Sequence, residues 1–357
     1  MFLLSNANCL TSLIEEALNL SLTRPENIFT LKVARLLFYL LLLSPNLGSA
    51  KLIIGMVGKT KNDSFYVQSY KGCLKFAESH PEVTCRYDGP DDYQDIRTQA
   101  LIINDMVKSG IDGLLVATTD SDFLVNRALK ELNEKNIPVI TFDSDLNPKD
   151  SRYRLAYVGT NNFDFGVALG NQVKVLIDTK SKNICIQSGH QTAPNLNERI
   201  AGIRFALSGQ SKKRLSGENG WHEFSRCPLY SLGKREDSLE QVKSLVKMAE
   251  TPAIIAVAGF AQFNSKYIEF MSPYKEKLGS KELIFISADT EEVQLKALNK
   301  GLSSSNIGQN PFEMGRLSAQ LMYEVLVNNK KPAKEFYFLD FHYCQQNNAK
   351  TCTINHF

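Results

Sequence analysis

The chain has 357 residues, of which 22% are charged, and its formal net charge is only +3. Because the basic residues are not gathered into a stripe, the sequence indicates neither a nucleic-acid partner nor an anionic membrane surface. The length beyond residue 50 is enough for one large domain or two ordinary domains with substantial cores.

Residues 32–50 have the pattern of a secretory signal peptide. Two basic residues precede an apolar run, which ends in a proline and the small residues of a cleavage site. The run is shorter than the roughly 20 residues of a membrane-spanning helix, and it lacks the periodicity of a buried core helix. We expect export, cleavage after Ala50 and a mature chain that begins near Lys51. Residues 1–31 are more acidic than the start of a signal peptide and are interpreted as an over-extended start.

Six cysteines follow the predicted cleavage point. An even number suits the oxidising environment outside the cytoplasm. Many pairings are possible, but the spacing favours three local ones: Cys73 with Cys85, Cys185 with Cys227, and Cys344 with Cys352. Free structural thiols remain the alternative. A zinc site would need closely spaced Cys/His pairs, which the sequence lacks, so no metal and no cofactor are expected.

From Lys51 onward, short aliphatic or β-branched runs alternate with longer amphipathic stretches, a pattern typical of βαβ units and a parallel sheet. In the first series, the predicted strands are 52–57, 83–87, 113–117 and 139–142. The predicted helices between them are 65–79, 93–109 and 122–136. These elements predict a first α/β lobe that ends near Asp145.

A polar, proline-containing stretch at 147–154 is predicted to be a surface loop, and a second series begins after it with a strand at 155–159. The further predicted strands are 183–187, 254–257 and 283–287. The predicted helices are 163–177, 195–207, 238–249 and 264–278. The chain is therefore expected to form two lobes, with a first crossing between them at 157–161.

Several short segments, each weak alone, occur together in a distinctive order and spacing. They are 53–57 followed by Phe65-Tyr66 and Lys71-Gly72, 119–122, 137–143, 157–161, Asn197-Glu198-Arg199 with Gly202, 286–289, and 309–315. Over nearly all of residues 51–340, the chain resembles a type I periplasmic binding protein of the ribose-binding, sugar-binding cluster.

This resemblance implies an α/β fold in which two Rossmann-like lobes with parallel sheets are joined by a three-strand hinge and bind ligand at the carboxyl ends of the strands. The expected chain crossings are 157–161, 309–311 and 331–334. The expected division is an extension with the signal peptide at 1–50, an N-terminal lobe at 51–158 plus 310–332, and a C-terminal lobe at 159–309 plus 333–357.

Four residues of the N-terminal lobe match positions that contact ligand in that family. Asp143 follows the predicted strand 139–142, where its carboxylate can accept hydrogen bonds from sugar hydroxyls; a turn or cap residue is the alternative. Phe65 and Tyr66 can place their rings against the C–H face of a sugar, although one of them is expected to pack in the core. Asp63 occupies an adjacent ligand-contact position.

Four further matches lie in the C-terminal lobe and at the second crossing. The planar guanidinium of Arg199 can donate to hydroxyl or ring oxygens, with a surface salt bridge as the alternative. Asp289 and Gln309 match hydrogen-bonding positions, and each could equally be an ordinary turn or loop residue. Asn264 matches a polar ligand position. Trp221, the single tryptophan, is assigned an interior or lobe-edge role in preference to stacking on ligand.

Two departures from the ribose-binding pattern argue against ribose itself. Ala117 stands where that pattern has an asparagine, and Ser144 follows Asp143 where the pattern has an arginine. Both changes alter the number of hydrogen bonds and the volume of the pocket. A different sugar, a polyol or a modified sugar is therefore expected.

The expected function is capture of a small sugar-like, polyhydroxylated ligand in the periplasm for delivery to a membrane ABC permease. The alternative is a ligand-sensing protein that regulates the periplasmic domain of a sensor kinase or a chemoreceptor. The sequence holds no nucleophile elbow, His-Glu-x-x-His or phosphate-binding loop, so no catalytic residue is assigned and an enzyme is not expected. A lactose-repressor-type transcription factor would need a helix-turn-helix before the lobes. Residues 1–50 predict a signal peptide instead, so this class of protein is not expected. A monomer is expected.

Overall fold

The computed structural model describes residues 51–91, 93–177 and 182–352. The signal peptide predicted at 32–50 lies outside these described residues. Within them, no helix has both the length and the apolar character that crossing a membrane requires.

The first of two β-sheets is entirely parallel. Its strands are β1 (Leu52–Val57), β2 (Val83–Asp88), β3 (Gly113–Val116), β4 (Val139–Phe142), β5 (Ala156–Gly159) and β12 (Phe336–Phe338). Across the sheet their order is β12-β5-β4-β3-β1-β2. This sheet is the centre of the first lobe.

The second sheet is parallel except at one edge. Its strands are β6 (Lys182–Ser188), β7 (Trp221–Glu223), β8 (Leu229–Tyr230), β9 (Ala253–Ala256), β10 (Phe285–Ala288), β11 (Ser305–Gly308) and β13 (His342–Cys344). Their order is β13-β11-β10-β9-β6-β7, and β8 also pairs with β6. The edge strand β13 runs antiparallel to β11. This sheet is the centre of the second lobe.

Helices cover both sheets. Those of the first lobe are α1 (Ser64–Glu78), α2 (Ile96–Lys108), α3 (Ser121–Leu124), α4 (Lys130–Glu134) and α11 (Pro311–Asn328). Those of the second lobe are α5 (Asn162–Leu176), α6 (Pro194–Ser208), α7 (Arg235–Val246), α8 (Tyr267–Met271), α9 (Lys275–Gly279) and α10 (Glu292–Asn299). The helix predicted at 264–278 is interrupted by a 3₁₀ turn at Ser272–Tyr274, where Pro273 lacks a backbone N–H.

The central strands are buried on both faces because helices pack against each side of each sheet. Strands β3, β4, β9 and β10 contain only buried residues. This explains their predominantly apolar sequences, since a strand covered on both faces has no solvent side that requires polar residues. Trp221 is buried in the core of the second lobe, in agreement with the interior role predicted for it.

Each lobe contains two helices that meet backbone to backbone at glycines. In the first lobe, a Cβ atom at Gly72 or Gly315 would overlap the backbone of the facing helix, α11 or α1. In the second lobe, Gly166 of α5 and Gly202 of α6 have the same role. Only glycine permits so close an approach of two backbones.

The chain passes between the sheets three times, after β5, after β11 and after β12. The third crossing corrects the sequence prediction. Because Phe336 pairs with Tyr157 of β5, β12 belongs to the first lobe, and the crossing falls at 339–341 instead of 331–334. The predicted lobe boundary at residue 333 is therefore too early.

All three predicted disulfides are formed, so these cysteines are not free thiols. They are Cys73–Cys85, Cys185–Cys227 and Cys344–Cys352. The first joins α1 to β2, the second joins β6 to the segment before β8, and the third joins β13 to the turn that follows it. Each disulfide therefore joins segments of a single lobe.

Candidate functional site

A small cavity lies between the lobes at the carboxyl ends of the parallel strands. Its volume is about 30 Å³, which is the share of liquid volume of about one water molecule. Seven of the eight predicted ligand-contact residues line it: Asp63, Phe65, Tyr66, Asp143, Arg199, Asp289 and Gln309. The fold thus brings together side chains from both lobes, as far apart in the sequence as residues 63 and 309.

Two aspartates occupy corresponding positions in the two lobes. Asp143 directly follows β4 and Asp289 directly follows β10. Both have a left-handed backbone, with φ of 57° and 71°, a conformation that aspartate tolerates better than most residues. This sharp change of direction at the end of each strand places both carboxylates at the cavity.

The carboxylate of Asp143 is buried and has polar neighbours from both lobes. The Tyr66 hydroxyl donates to Oδ2 at 2.8 Å, and the Asn195 amide donates to Oδ1 at 3.4 Å. The ammonium of Lys59 and the guanidinium of Arg199 each lie 3.9 Å away. Asp143 therefore lies between two cations but does not form a short salt bridge to either of them.

Arg199 is the centre of a hydrogen-bond network in the second lobe. Its guanidinium donates to the side-chain oxygens of Asn162 (2.8 Å) and Gln309 (2.9 Å) and to the Val257 carbonyl (2.9 Å). Gln309 in turn donates to Asp289 at 2.7 Å. Because Arg199 is 2% exposed, the predicted alternative of a surface salt bridge is wrong.

Lys59 is a buried cation that the sequence analysis did not identify. It is 1% exposed and donates from the first lobe to Asn195 Oδ1 in the second lobe at 2.7 Å. Burial lowers the pKa of Lys59 to about 8, although nearby Asp143 acts in the opposite direction. The signal that could have identified it is its position just beyond β1, at the strand edge where such sites form.

Asp63 serves the fold as well as lining the cavity. It caps α1, because its carboxylate accepts a hydrogen bond from the backbone N–H of Phe65 at 3.0 Å. Burial raises the pKa of Asp63 to about 6, in spite of this hydrogen bond. The rings of Phe65 and Tyr66 pack edge to face at 5.4 Å, and both residues belong to the core of the first lobe.

Asn264 is the predicted ligand-contact residue that the structure does not bring to the cavity. Its amide donates to the Glu236 carboxylate at 2.8 Å, in an exposed contact. The aromatic residues Phe260 and Phe263 from the same segment line the cavity instead. Together with Phe65 they supply apolar surface beside the carboxylates.

The lobes also touch outside the cavity. Gln94 of the first lobe donates through its backbone to the Leu232 carbonyl at 2.9 Å and accepts from the backbone N–H of His190 at 2.8 Å. Arg235 of the second lobe donates to the Asn62 carbonyl at 2.8 Å. These contacts and the small cavity describe a closed arrangement of the two lobes. The cavity is much smaller than a pocket for an organic ligand, which usually measures about 300 Å³ or more.

Comparison with known proteins identifies the family. The model of the family described as "Periplasmic binding protein domain" matches residues 54–331. The chain belongs to this family. The match covers both lobes apart from β12 and β13.

Individual relatives agree with this assignment. The ribose import binding protein RbsB of Bacillus subtilis is 23% identical over 295 residues, covering 80% of this chain and 85% of the relative. A solute-binding protein of an ABC transporter from Agrobacterium vitis, solved with α-D-tagatopyranose, has a TM-score of 0.72 and 17% identity over 85% of this chain and 97% of that one. A chain of the XylFII–LytSN complex has a TM-score of 0.65 and 19% identity over 83% of this chain and 98% of that one. These structures share the two-lobed fold.

Proposed function

We propose that this protein captures a sugar or a sugar-like polyhydroxylated molecule in the periplasm and delivers it to an ABC importer. The observation that carries the proposal is the convergence of hydrogen-bonding side chains from both lobes on one cavity between them. Asp143 on one side and the Arg199–Gln309–Asp289 network on the other offer both acceptors and donors. Sugar hydroxyls, which donate and accept, are complementary to such a mixture.

Aromatic residues support a sugar over an ion. Phe65, Phe260 and Phe263 line the same cavity as the carboxylates. A sugar has apolar C–H faces that pack against aromatic rings, whereas its hydroxyls need the polar groups. The B. subtilis relative is named as a ribose import binding protein, and the A. vitis protein, which shares this fold, was solved with α-D-tagatopyranose.

Ligand entry requires the lobes to separate. A cavity of about 30 Å³ admits no sugar, so the lobes separate to admit the ligand and then close around it less tightly than in the arrangement described here. Closure is favoured by contacts that only the closed arrangement makes. Binding of this kind needs no chemical step, and we assign no catalytic role to any residue of the site.

The partner is proposed to be a membrane ABC permease. A periplasmic sensor domain is the second candidate, and the fold shared with XylFII in its complex with LytSN favours it. Either partner would distinguish the open from the closed arrangement, since ligand binding changes the relative positions of the lobes. Both candidates need the exported location that the sequence analysis predicts, with a mature start near Lys51.

A thermal-shift screen tests the binding function. The mature protein is heated with neutral sugars, polyols and sugar acids, and a ligand present at 100 times its dissociation constant stabilises the fold by about 2.7 kcal/mol. Asp143→Asn should reduce the stabilisation to about 1.3 kcal/mol or less at the same ligand concentration, whereas Asp105→Asn, an exposed change in the same lobe, should preserve it. If no compound of these classes shifts the transition, the proposal fails.

Small-angle scattering tests the movement. We expect a smaller radius of gyration with the ligand found in the screen than without it. The ligand should be recovered unaltered by mass spectrometry after release. A constant radius at saturation would refute the closing movement, and turnover of the ligand would refute a purely binding role.

A further inference from the structure

A second and larger cavity lies on the hinge side of the molecule. We call it the hinge cavity; its volume is about 380 Å³, within the range of small-molecule sites. The first lobe contributes Glu335, Phe336 and Phe338, and the second lobe contributes Pro194 and Glu198 from the start of α6. Its walls therefore come from both lobes, as those of the proposed sugar site do.

One wall of the hinge cavity is an aromatic surface. Phe336 and Phe338 lie on the edge strand β12, and their rings are stacked at 5.6 Å with an interplanar angle of 16°. They are 42% and 55% exposed, which is unusual for large apolar side chains in adjacent positions of one strand face. The guanidinium of Arg154 already lies 5.1 Å from the centre of the Phe336 ring. This surface thus already binds one cation of the chain, whereas Phe338, which stacks on Phe336 and packs edge to face with Tyr157 at 6.2 Å, has no cation over its ring among the described residues.

The charged groups around the hinge cavity are predominantly acidic. Asp145, Glu198 and Glu335 line it together with a single cation, Arg154. Arg154 is committed, because it donates to both oxygens of Asp145 at 2.9 and 2.7 Å and lies 3.0 Å from Glu335. Two negative charges remain in excess.

Glu198 is the acidic group of the second lobe in this cavity. Partial burial raises the pKa of Glu198, and the negative charge of nearby Asp145 raises it further. The positive charges of Arg199 and Lys212 lower it, but by less. A cation placed beside Glu198 would relieve this unfavourable environment.

We propose that the hinge cavity is a second binding site, which takes a small organic cation with an alkyl chain and a guanidinium or ammonium group. The cationic group lies between the open face of Phe338 and the carboxylates of Glu198 and Glu335. Attraction between a cation and an aromatic ring is strongest when the ring is partly shielded from water, as it is in this cavity. A carboxylate or phosphate ligand is excluded by the excess negative charge.

Occupation of the hinge cavity is coupled to the sugar site. Asn195 lines both cavities and accepts the hydrogen bond from Lys59. A molecule that contacts Phe338 and Glu198 together binds the closed arrangement in preference to one in which the lobes have moved apart. By linkage, the sugar and the cation then strengthen each other's binding by the same factor. This coupling rests on the proposed sugar-binding function, whereas the cation site itself does not.

Saturation-transfer NMR on the mature, sugar-free protein tests the site. The probe is butylguanidinium, and butylurea is the uncharged control of the same shape. We expect saturable binding of butylguanidinium at millimolar concentration and none of butylurea. Phe338→Ala and Glu198→Gln should each weaken binding about fivefold or more, while Glu134→Gln, an exposed acidic residue of α4, should leave it unchanged. Glu198→Gln keeps the side-chain shape, so it remains informative if Phe338→Ala does not fold.

Three results would each overturn the cation site. The first is no saturable binding up to about 10 mM, a concentration at which weak cation sites are filled. The others are equal binding of butylurea and butylguanidinium, or unchanged binding by both Phe338→Ala and Glu198→Gln. The coupling is tested separately, with the sugar found in the thermal-shift screen. Butylguanidinium should bind at least twofold more tightly to the sugar-saturated protein. Equal affinities of butylguanidinium for the sugar-free and the sugar-saturated protein would refute the coupling. If no sugar ligand is found, the proposed function fails, but the measurement of butylguanidinium binding to the sugar-free protein remains valid.

Discussion

The two halves of the cavity between the lobes satisfy their polar groups in different ways. In the second lobe, Arg199 is bonded within its own half, to Asn162, Val257 and Gln309. In the first lobe, Lys59 obtains its hydrogen bond by reaching across to Asn195. The hydrogen bonds of Arg199 can therefore form before the lobes close, whereas the hydrogen bond of Lys59 forms only on closure. A buried cation can thus stabilise the fold of one lobe, as Arg199 does, or stabilise the closed arrangement of the two lobes, as Lys59 does.

The largest expected effect comes from Arg199→Met, which should destabilise the fold by about 3–5 kcal/mol. It leaves the side-chain oxygens of Asn162 and Gln309 without their buried donor and removes a cation that offsets the charge of Asp289, and loss of one member of a buried charged network has a cost of this size. Urea unfolding of the variant measures the loss. The control is Arg316→Met, which removes a half-exposed ion pair with Glu313 and should change stability by less than about 1 kcal/mol. Equal stability of wild type and Arg199→Met would contradict a structural role for the network.

The second effect concerns ligand binding. Asp143→Asn should weaken sugar binding by about 1.5–3 kcal/mol, because it removes a charged acceptor but preserves the side-chain shape. Calorimetry with the sugar found in the screen measures it. Tyr66→Phe, which removes the hydroxyl that donates to Asp143, should have a smaller effect. Unchanged affinity in Asp143→Asn would remove this residue from the site.

The third effect is a dependence on pH that belongs to the first-lobe half. In the folded protein the pKa of Asp63 is raised from 3.8 to about 6, so the folded state retains a proton that the unfolded state has lost. The wild type is therefore expected to lose about 2 kcal/mol relative to Asp63→Asn as the pH rises from 4 to 6. Asparagine keeps the helix cap. Urea unfolding of both proteins at several pH values tests this, and parallel curves would disprove it.

The smallest effect on stability is expected for Lys59→Met, within about 1 kcal/mol of wild type at pH 7. The lost hydrogen bond to Asn195 is offset by relief of the burial that lowers the pKa of Lys59. Urea unfolding beside Arg199→Met gives the direct comparison. A loss as large as that of Arg199→Met would show that both cations belong to the permanent structure and would abolish the distinction between the two halves.

Much of this arrangement could be predicted from the sequence because it follows local rules. Asp143 and Asp289 end aliphatic strands, and the carboxyl ends of parallel strands are where such folds bind ligands. The βα alternation similarly predicted the central strands of both sheets. Short-range spacing also suggested the three disulfides that the structure contains.

Features that depend on contacts between residues far apart in the chain could not be predicted from the sequence by these local rules. The bond between Lys59 and Asn195 joins residues 136 positions apart, and neither has a local pattern that points to the other. The crossing at 339–341 was misplaced because β12 has only three residues, too few for a periodic signal. Asn264 was expected at the site because it matches a polar ligand position of the family that the chain resembles, but the residues of that segment at the cavity are Phe260 and Phe263.

The glycine contact between α5 and α6 restricts how the ligand preference of this protein can evolve. Helix α5 carries Asn162 and α6 carries Arg199, and their spacing is set where Gly166 meets the backbone of Arg199 itself. A side chain at Gly166 would push the guanidinium away from its acceptors, although Gly166 itself does not line the cavity. Adaptation to a new sugar is therefore expected to change the residues around Lys59, Asp63 and Ser144, whose replacement leaves this helix pair undisturbed. Ser144, which follows Asp143 where the ribose-binding pattern has an arginine, lies in that half.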